Sequence, residues 1–100
     1  MSPNTGISSV HWEKIRLLFK KFPNIHEIIL FGSRAKGNYR EGSDINLALK
    51  GTKISTAQLA ILQNDYDQLY LPWKLDLVIY DTIQSKALKD HVGRVGWKID

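Results

Sequence analysis

The sequence predicts an α+β fold, a small mixed β-sheet backed by helices, in the order α-β-loop-β-α-β-α. Three observations point there. Apolar residues recur at spacings of three and four in three separate stretches, which is the period of helices. Two other stretches alternate polar and apolar, the period of a half-buried strand. A further short run rich in Ile ends at a glycine, the pattern of a buried strand. One hundred residues, 43% of them hydrophobic, suit a single domain over 1–100 with one core.

The first helix is expected from about Ser9 to Phe22, because Trp12, Ile15, Phe19 and Phe22 share one face with Leu18 beside them. Ser8 or Ser9 caps its start, and Pro23 with Asn24 stops it. Ile25 to Phe31 is the buried strand. Residues 32–43 hold three glycines, two serines and three basic residues, so they read as a loop with a short helical turn at Ser33 to Lys36. Asp44 to Leu49 is the next strand, with Ile45, Leu47 and Leu49 on one face and Asp44, Asn46 and Ala48 on the other. Gly51 closes it. Ser55 and Gln58 form a capping box for a second helix, whose buried stripe is Leu59, Leu62, Tyr66 and Leu69 and which Pro72 ends. Lys74 to Tyr80 alternates again, placing Leu75, Leu77 and Ile79 inward and Asp76, Val78 and Tyr80 opposite. Asp81 or Thr82 is expected to cap a last helix carrying Ile83, Ala87, Leu88 and Val92, in a basic stretch that reaches Lys98.

Composition narrows the function classes. Without cysteine there is neither a disulfide framework nor a thiolate metal site. The apolar run Ile28 to Phe31 is far short of the roughly 20 residues that span a bilayer. The amino terminus lacks a signal-peptide pattern, so a cytoplasmic protein is expected. Fourteen Lys and Arg against ten Asp and Glu leave a formal charge of +4. Most basic residues fall on helical faces rather than in one stripe, and interleaved aromatics are absent, so direct nucleic-acid binding is not expected. Arg34, Lys36 and Arg40 differ, being gathered in the Gly-rich loop.

Candidate chemistry lies at that loop and on the two alternating strands. Aspartate is a poor strand former, yet Asp44 and Asp76 stand on polar strand faces, with Asn46 two residues from Asp44 and pointing the same way. Oxygen donors on adjacent strands suit Mg²⁺, which is usually held by one or two carboxylates plus substrate phosphates. Gly32 and Ser33 follow a buried strand, where backbone N–H groups and a hydroxyl can meet an anion, with Arg34 and Lys36 adding positive charge. Other motifs fail. Gly32 and Gly37 have P-loop spacing, but Asn38 and Tyr39 follow where Lys and Ser or Thr are needed. Asp44 and Asn46 begin like a Ca²⁺ loop, but Leu49 stands where glycine is required. His11, His26 and His91 lack metal-ligand spacing and read as surface or helix residues. Trp73 and Trp97 lie where a partner would cover them.

Gly32-Ser33, ten residues, then Asp44-x-Asn46, with a third carboxylate at Asp76, resembles the GS-x10-DxD signature of the DNA polymerase β-like nucleotidyltransferase superfamily. The stretch ILFGSRAKGNYREGSDINLAL and the later LPWKLDLVIYDTI are similar to the minimal nucleotidyltransferases, the MNT proteins. That resemblance covers most of the chain from about Ile25 onward. It implies Mg²⁺-dependent transfer of AMP from ATP to an acceptor with release of pyrophosphate. It also implies a helical HEPN-type partner, a toxin ribonuclease whose tyrosine is adenylylated by the MNT antitoxin. By position, Gly32 and Ser33 would hold the triphosphate, with supportive contacts from Arg34 and Lys36. Asp44 and residue 46 would bridge two metal ions, and Asp76 would bind the catalytic one and help activate the attacking hydroxyl.

Asn46 departs from the signature, since an amide keeps one oxygen ligand but removes a negative charge from a site for two dications. Two readings follow. One is a nucleotidyltransferase acting on a protein partner with reduced metal occupancy. The other is an inactive nucleotide-binding module that neutralises its partner by binding alone.

Overall fold

A computed structural model describes residues 4–99. The first helix, α1 (Ser9–Leu18), opens with the Ser8 side chain accepting from the His11 N–H. It tightens into a 3₁₀ turn at Phe19–Lys21, so the α-helix stops four residues before the expected Phe22. The element β1 (Ile25–Phe31) follows, then the single turn α2 (Ser33–Lys36), β2 (Ile45–Gly51), α3 (Thr56–Asp67) and β3 (Leu75–Ile79). The expected capping box is present at α3: Ser55 accepts from the Gln58 N–H and Gln58 reaches back to the Ser55 N–H.

The last helix differs from expectation. Asp81 and Thr82 lie in a 3₁₀ turn, where the Thr82 hydroxyl donates to the Ile79 carbonyl. Ser85 is the true cap, accepting from the Leu88 N–H, so α4 (Lys86–Val95) starts later and Ile83 lies outside it. Gly96 ends α4, and the chain returns as β4 (Trp97–Lys98) rather than continuing as helix. Ile99 then extends the pairing through its N–H to the Ile28 carbonyl.

The strands form one sheet in the order β3-β2-β1-β4. The strand β1 runs antiparallel to β2 and β4, whereas β2 and β3 are parallel, which is why a whole helix, α3, must connect them. Alternation divides the side chains between two faces. Ile28, Leu30, Ile45, Leu47, Leu49 and Leu75 meet Trp12, Ile15 and Phe19 below α1 and Leu62 and Tyr66 of α3 in the larger core. On the opposite face a smaller cluster joins Ile29, Phe31 and Ala48 to Val92 of α4, with Val78, Tyr80 and Leu88 at its margin. The sheet therefore has helices on both faces, and the face bearing Asn46 and Asp76 is the one α4 covers in part. Among the described residues no helix is long and apolar enough to cross a membrane.

Candidate active site

Strand direction gathers the candidate residues at one end of the sheet. Because β1 and β2 are antiparallel, the end of β1 lies beside the start of β2, and parallel β3 starts there too. In register, Phe31 is opposite Asn46 and Asn46 is opposite Asp76. Partners across a sheet project to the same side, so Asn46 and Asp76 are neighbours on the α4 face. Asp44 immediately precedes β2, where the Ile45 N–H donates to the Lys74 carbonyl at 2.8 Å and ties that approach to β3. Asp44 and Asp76 are exposed and Asn46 is half-buried. Neither carboxylate has an ion-pair partner among the described residues, which leaves two negative charges at one sheet end for a ligand to neutralise.

Gly32 has φ 80° and ψ −158°, a conformation L side chains rarely adopt. A Cβ placed there would meet Asn46 Nδ2 at 2.6 Å, so the turn after β1 lies directly against the amide of residue 46. Ser33 opens α2 half-buried, and its hydroxyl takes no hydrogen bond from the described residues. Gly37, in the left-handed region, closes the turn with its N–H on the Ser33 carbonyl at 2.9 Å. Lys36 is exposed at the same turn.

Arg34 faces the interior of the fold rather than solvent. It is 1% exposed, and its nitrogens donate to the carbonyls of Ser43 at 3.0 Å, Thr5 at 2.7 Å and Glu41 at 3.0 Å. Its guanidinium also lies over the rings of Tyr39 at 4.9 Å and Trp73 at 5.6 Å. A buried charge needs such partners, and here they make Arg34 the clamp of the loop between α2 and β2. Trp73 is thereby part of that clamp and half-buried, whereas Trp97 stays exposed on the edge strand β4.

One residue at the site escapes sequence reasoning. His91 of α4 is half-buried, its Nε2 accepts the Gly32 N–H at 3.1 Å, and its ring stands edge-on to Phe31 with centroids 6.2 Å apart. No local signal marks it, because its partner lies 59 positions away in the chain.

Two carboxylates and a carboxamide supply hard oxygen donors, the chemistry Mg²⁺ takes in company with substrate phosphates. Among the described residues no group of three His, Cys, Asp or Glu could hold a metal without such help. The donor set suits a divalent cation that draws its remaining ligands from elsewhere, with one carboxylate fewer than the GS-x10-DxD signature carries.

A four-stranded mixed sheet flanked by helices, with a Gly-Ser turn meeting two acidic strand starts, is the architecture of nucleotidyltransferases. The chain belongs to the family described as polymerase beta, nucleotidyltransferase, whose model matches residues 13–99. Solved structures share the fold. A chain of a toxin–antitoxin complex with AMP-PNP is 24% identical, with TM-score 0.73 over 89% of this chain and 72% of that one. A chain from the tri-AMPylated Shewanella oneidensis HEPN toxin in complex with MNT antitoxin is 21% identical, with TM-score 0.70 over 94% and 72%. A putative nucleotidyltransferase from Sulfolobus solfataricus is 20% identical, with TM-score 0.52 over 89% and 75%. No curated protein matches in sequence.

Proposed function

We propose that this chain is an MNT-type antitoxin that transfers AMP from ATP to a protein acceptor, a tyrosine of a HEPN-type toxin. The observation that carries this reading is the register that sets Phe31 beside Asn46 and Asn46 beside Asp76, because it brings the Gly-Ser turn and the acidic strand starts to one place. Family membership and the toxin–antitoxin complexes among the fold neighbours support it.

In this reading the Gly32-Ser33 turn seats the triphosphate and Lys36 adds charge at its rim. Asp44, Asn46 and Asp76 would hold Mg²⁺, which supplies neutralisation of the phosphate charge and of the departing pyrophosphate. The tyrosine oxygen attacks the α-phosphorus, the bond to the pyrophosphate oxygen breaks, and the tyrosine proton leaves toward Asp76, the carboxylate that orients the nucleophile.

Incubating the chain with its neighbour-encoded HEPN-type partner, labelled ATP and Mg²⁺ is expected to label the partner. Asn46→Asp restores the missing ligand charge and is expected to raise the rate by at least about tenfold, since even outer-shell partners of metal ligands carry that much. No transfer by either form to a folded partner would overturn the proposal.

Asn46 also favours a second reading, neutralisation by binding alone. Inhibition of the partner would then survive both removal of ATP and Asp44→Ala. Its loss under either condition excludes that reading.

A further inference from the structure

The amide of Gly32 poses an accounting question, because a partly buried N–H must find an acceptor and the β1–β2 pairing ends at Phe31 opposite Asn46. The acceptor comes from the other side of the sheet end, where His91 Nε2 lies 3.1 Å from the Gly32 nitrogen. A ring nitrogen that accepts must carry no proton, so the imidazole proton is placed on Nδ1. The ring has little freedom to turn away. Its edge-on contact with Phe31, at an interplanar angle of 81°, fixes one side, and Val92, the next residue along α4, is buried in the smaller core.

We propose that His91 is a positioning residue for nucleotide binding: its Nε2 holds the Gly32 peptide in the positive-φ conformation and thereby sets the aim of the Ser33 hydroxyl. This role rests on the reading that Gly32 and Ser33 seat a triphosphate. The hydrogen bond spends the Gly32 N–H on the imidazole, so the turn presents the Ser33 hydroxyl to a ligand. It also links α4 to the turn across the space that separates helix from loop. Without the acceptor, the Gly32 peptide is free to rotate and must be reordered when the phosphates arrive, which weakens binding without removing any group that touches them.

The test compares wild type, His91→Ala, His91→Gln and Val92→Ala by two measurements. Amide hydrogen exchange at Gly32 in the nucleotide-free protein reads the bond itself, and titration with Mg²⁺ and ATP reads its consequence. Wild type is expected to protect the Gly32 amide, His91→Ala to lose that protection, and His91→Gln, whose side-chain oxygen can accept, to recover it. ATP affinity is expected to fall about five- to tenfold in His91→Ala, the value of one hydrogen bond, and to return to within about threefold in His91→Gln. Val92→Ala keeps the imidazole but loosens the packing of α4, so it is expected to lower Gly32 protection together with that of the α4 amides. His91→Ala, which leaves Val92 in the smaller core, is expected to lower it at Gly32 without an equal loss along α4. An unprotected Gly32 amide in wild type, or equal ATP binding by wild type and His91→Ala, overturns the role of His91. Absence of ATP binding by wild type, with its Gly32 amide protected, overturns the nucleotide reading instead and with it the role built on that reading.

Discussion

Tyr66 shows how one side chain of α3 ties the larger core to the chain beyond it. It is buried to 3% exposure, and its hydroxyl donates to the Trp73 carbonyl at 2.7 Å. Burial, with a smaller contribution from the Asp67 carboxylate, pushes its pKa from 10.0 up to about 12, and Arg34 opposes the shift in part. The unfolded chain therefore ionises Tyr66 before the folded chain does. Between pH 10 and about 12 the unfolded state binds fewer protons, so stability is full below pH 10 and falls across that window. Denaturant midpoints followed from pH 9 to 12 are expected to decline for wild type and to decline less for Tyr66→Phe, which lacks the ionising group. Equal declines would assign the loss to other residues. At this same scale the placement of Gly32 and Ser33 in a turn after a strand, and of Asp44, Asn46 and Asp76 on or beside two strands, was legible in the sequence, because spacing along a loop and parity along a strand are local properties. Arg34 and His91 were not. A sequence shows an arginine beside a glycine-rich loop, but not that the carbonyls of Thr5, Glu41 and Ser43 converge on it. Nor does it show that a helix near the end of the chain lays one imidazole on Gly32.

Between elements, the start of α3 is joined to the connection between α1 and β1. Gln58 serves the capping box through its side-chain oxygen, which accepts from the Ser55 N–H at 3.2 Å. The same amide exchanges two hydrogen bonds with Asn24 at 3.1 and 3.0 Å, and Asn24 donates in turn to the Thr52 carbonyl at 2.9 Å. Ser55→Ala removes only the cap and is expected to cost about 1 kcal/mol in denaturant unfolding. Gln58→Ala removes the reciprocal half of the box and the Asn24 pair together, and is expected to cost more than Ser55→Ala. If the two variants unfold at the same denaturant concentration, the Asn24 link contributes nothing. Helices and strands with full periodic patterns, and the capping box itself, were legible because their signals lie within a few residues. The strand β4 was not, since two residues carry no alternation and exist as a strand only through pairing with Ile29 and Leu30. The start of α4 was misplaced for a related reason. Thr82 and Ser85 are both capping residues by type, and the choice went to Ser85 once the Thr82 hydroxyl was taken by Ile79.

Across the whole molecule, the two faces of the sheet are unequally supported. The face under α1 and α3 buries a broad apolar set from five elements, whereas α4 is fastened by Val92 against Ile29, Phe31 and Ala48, with Leu88 only partly buried. Apolar burial is the main stabilising term, so α4 should open at lower free energy than the strands it covers. The same helix carries His91, and its detachment would withdraw the acceptor from Gly32 and unsettle the Gly-Ser turn. Anything that binds the ordered turn then stabilises α4 by mass action, even without touching the helix. Native-state hydrogen exchange is expected to show the amides of α4 opening sub-globally while those of β1 and β2 exchange only on global unfolding. Saturation with Mg²⁺ and ATP is expected to raise protection along α4 as well as at Gly32. If α4 exchanges as slowly as β2 in the free protein, the smaller core is not the weak side of the fold. If α4 does open first but its protection is unchanged by bound nucleotide, the helix and the turn are not coupled through His91.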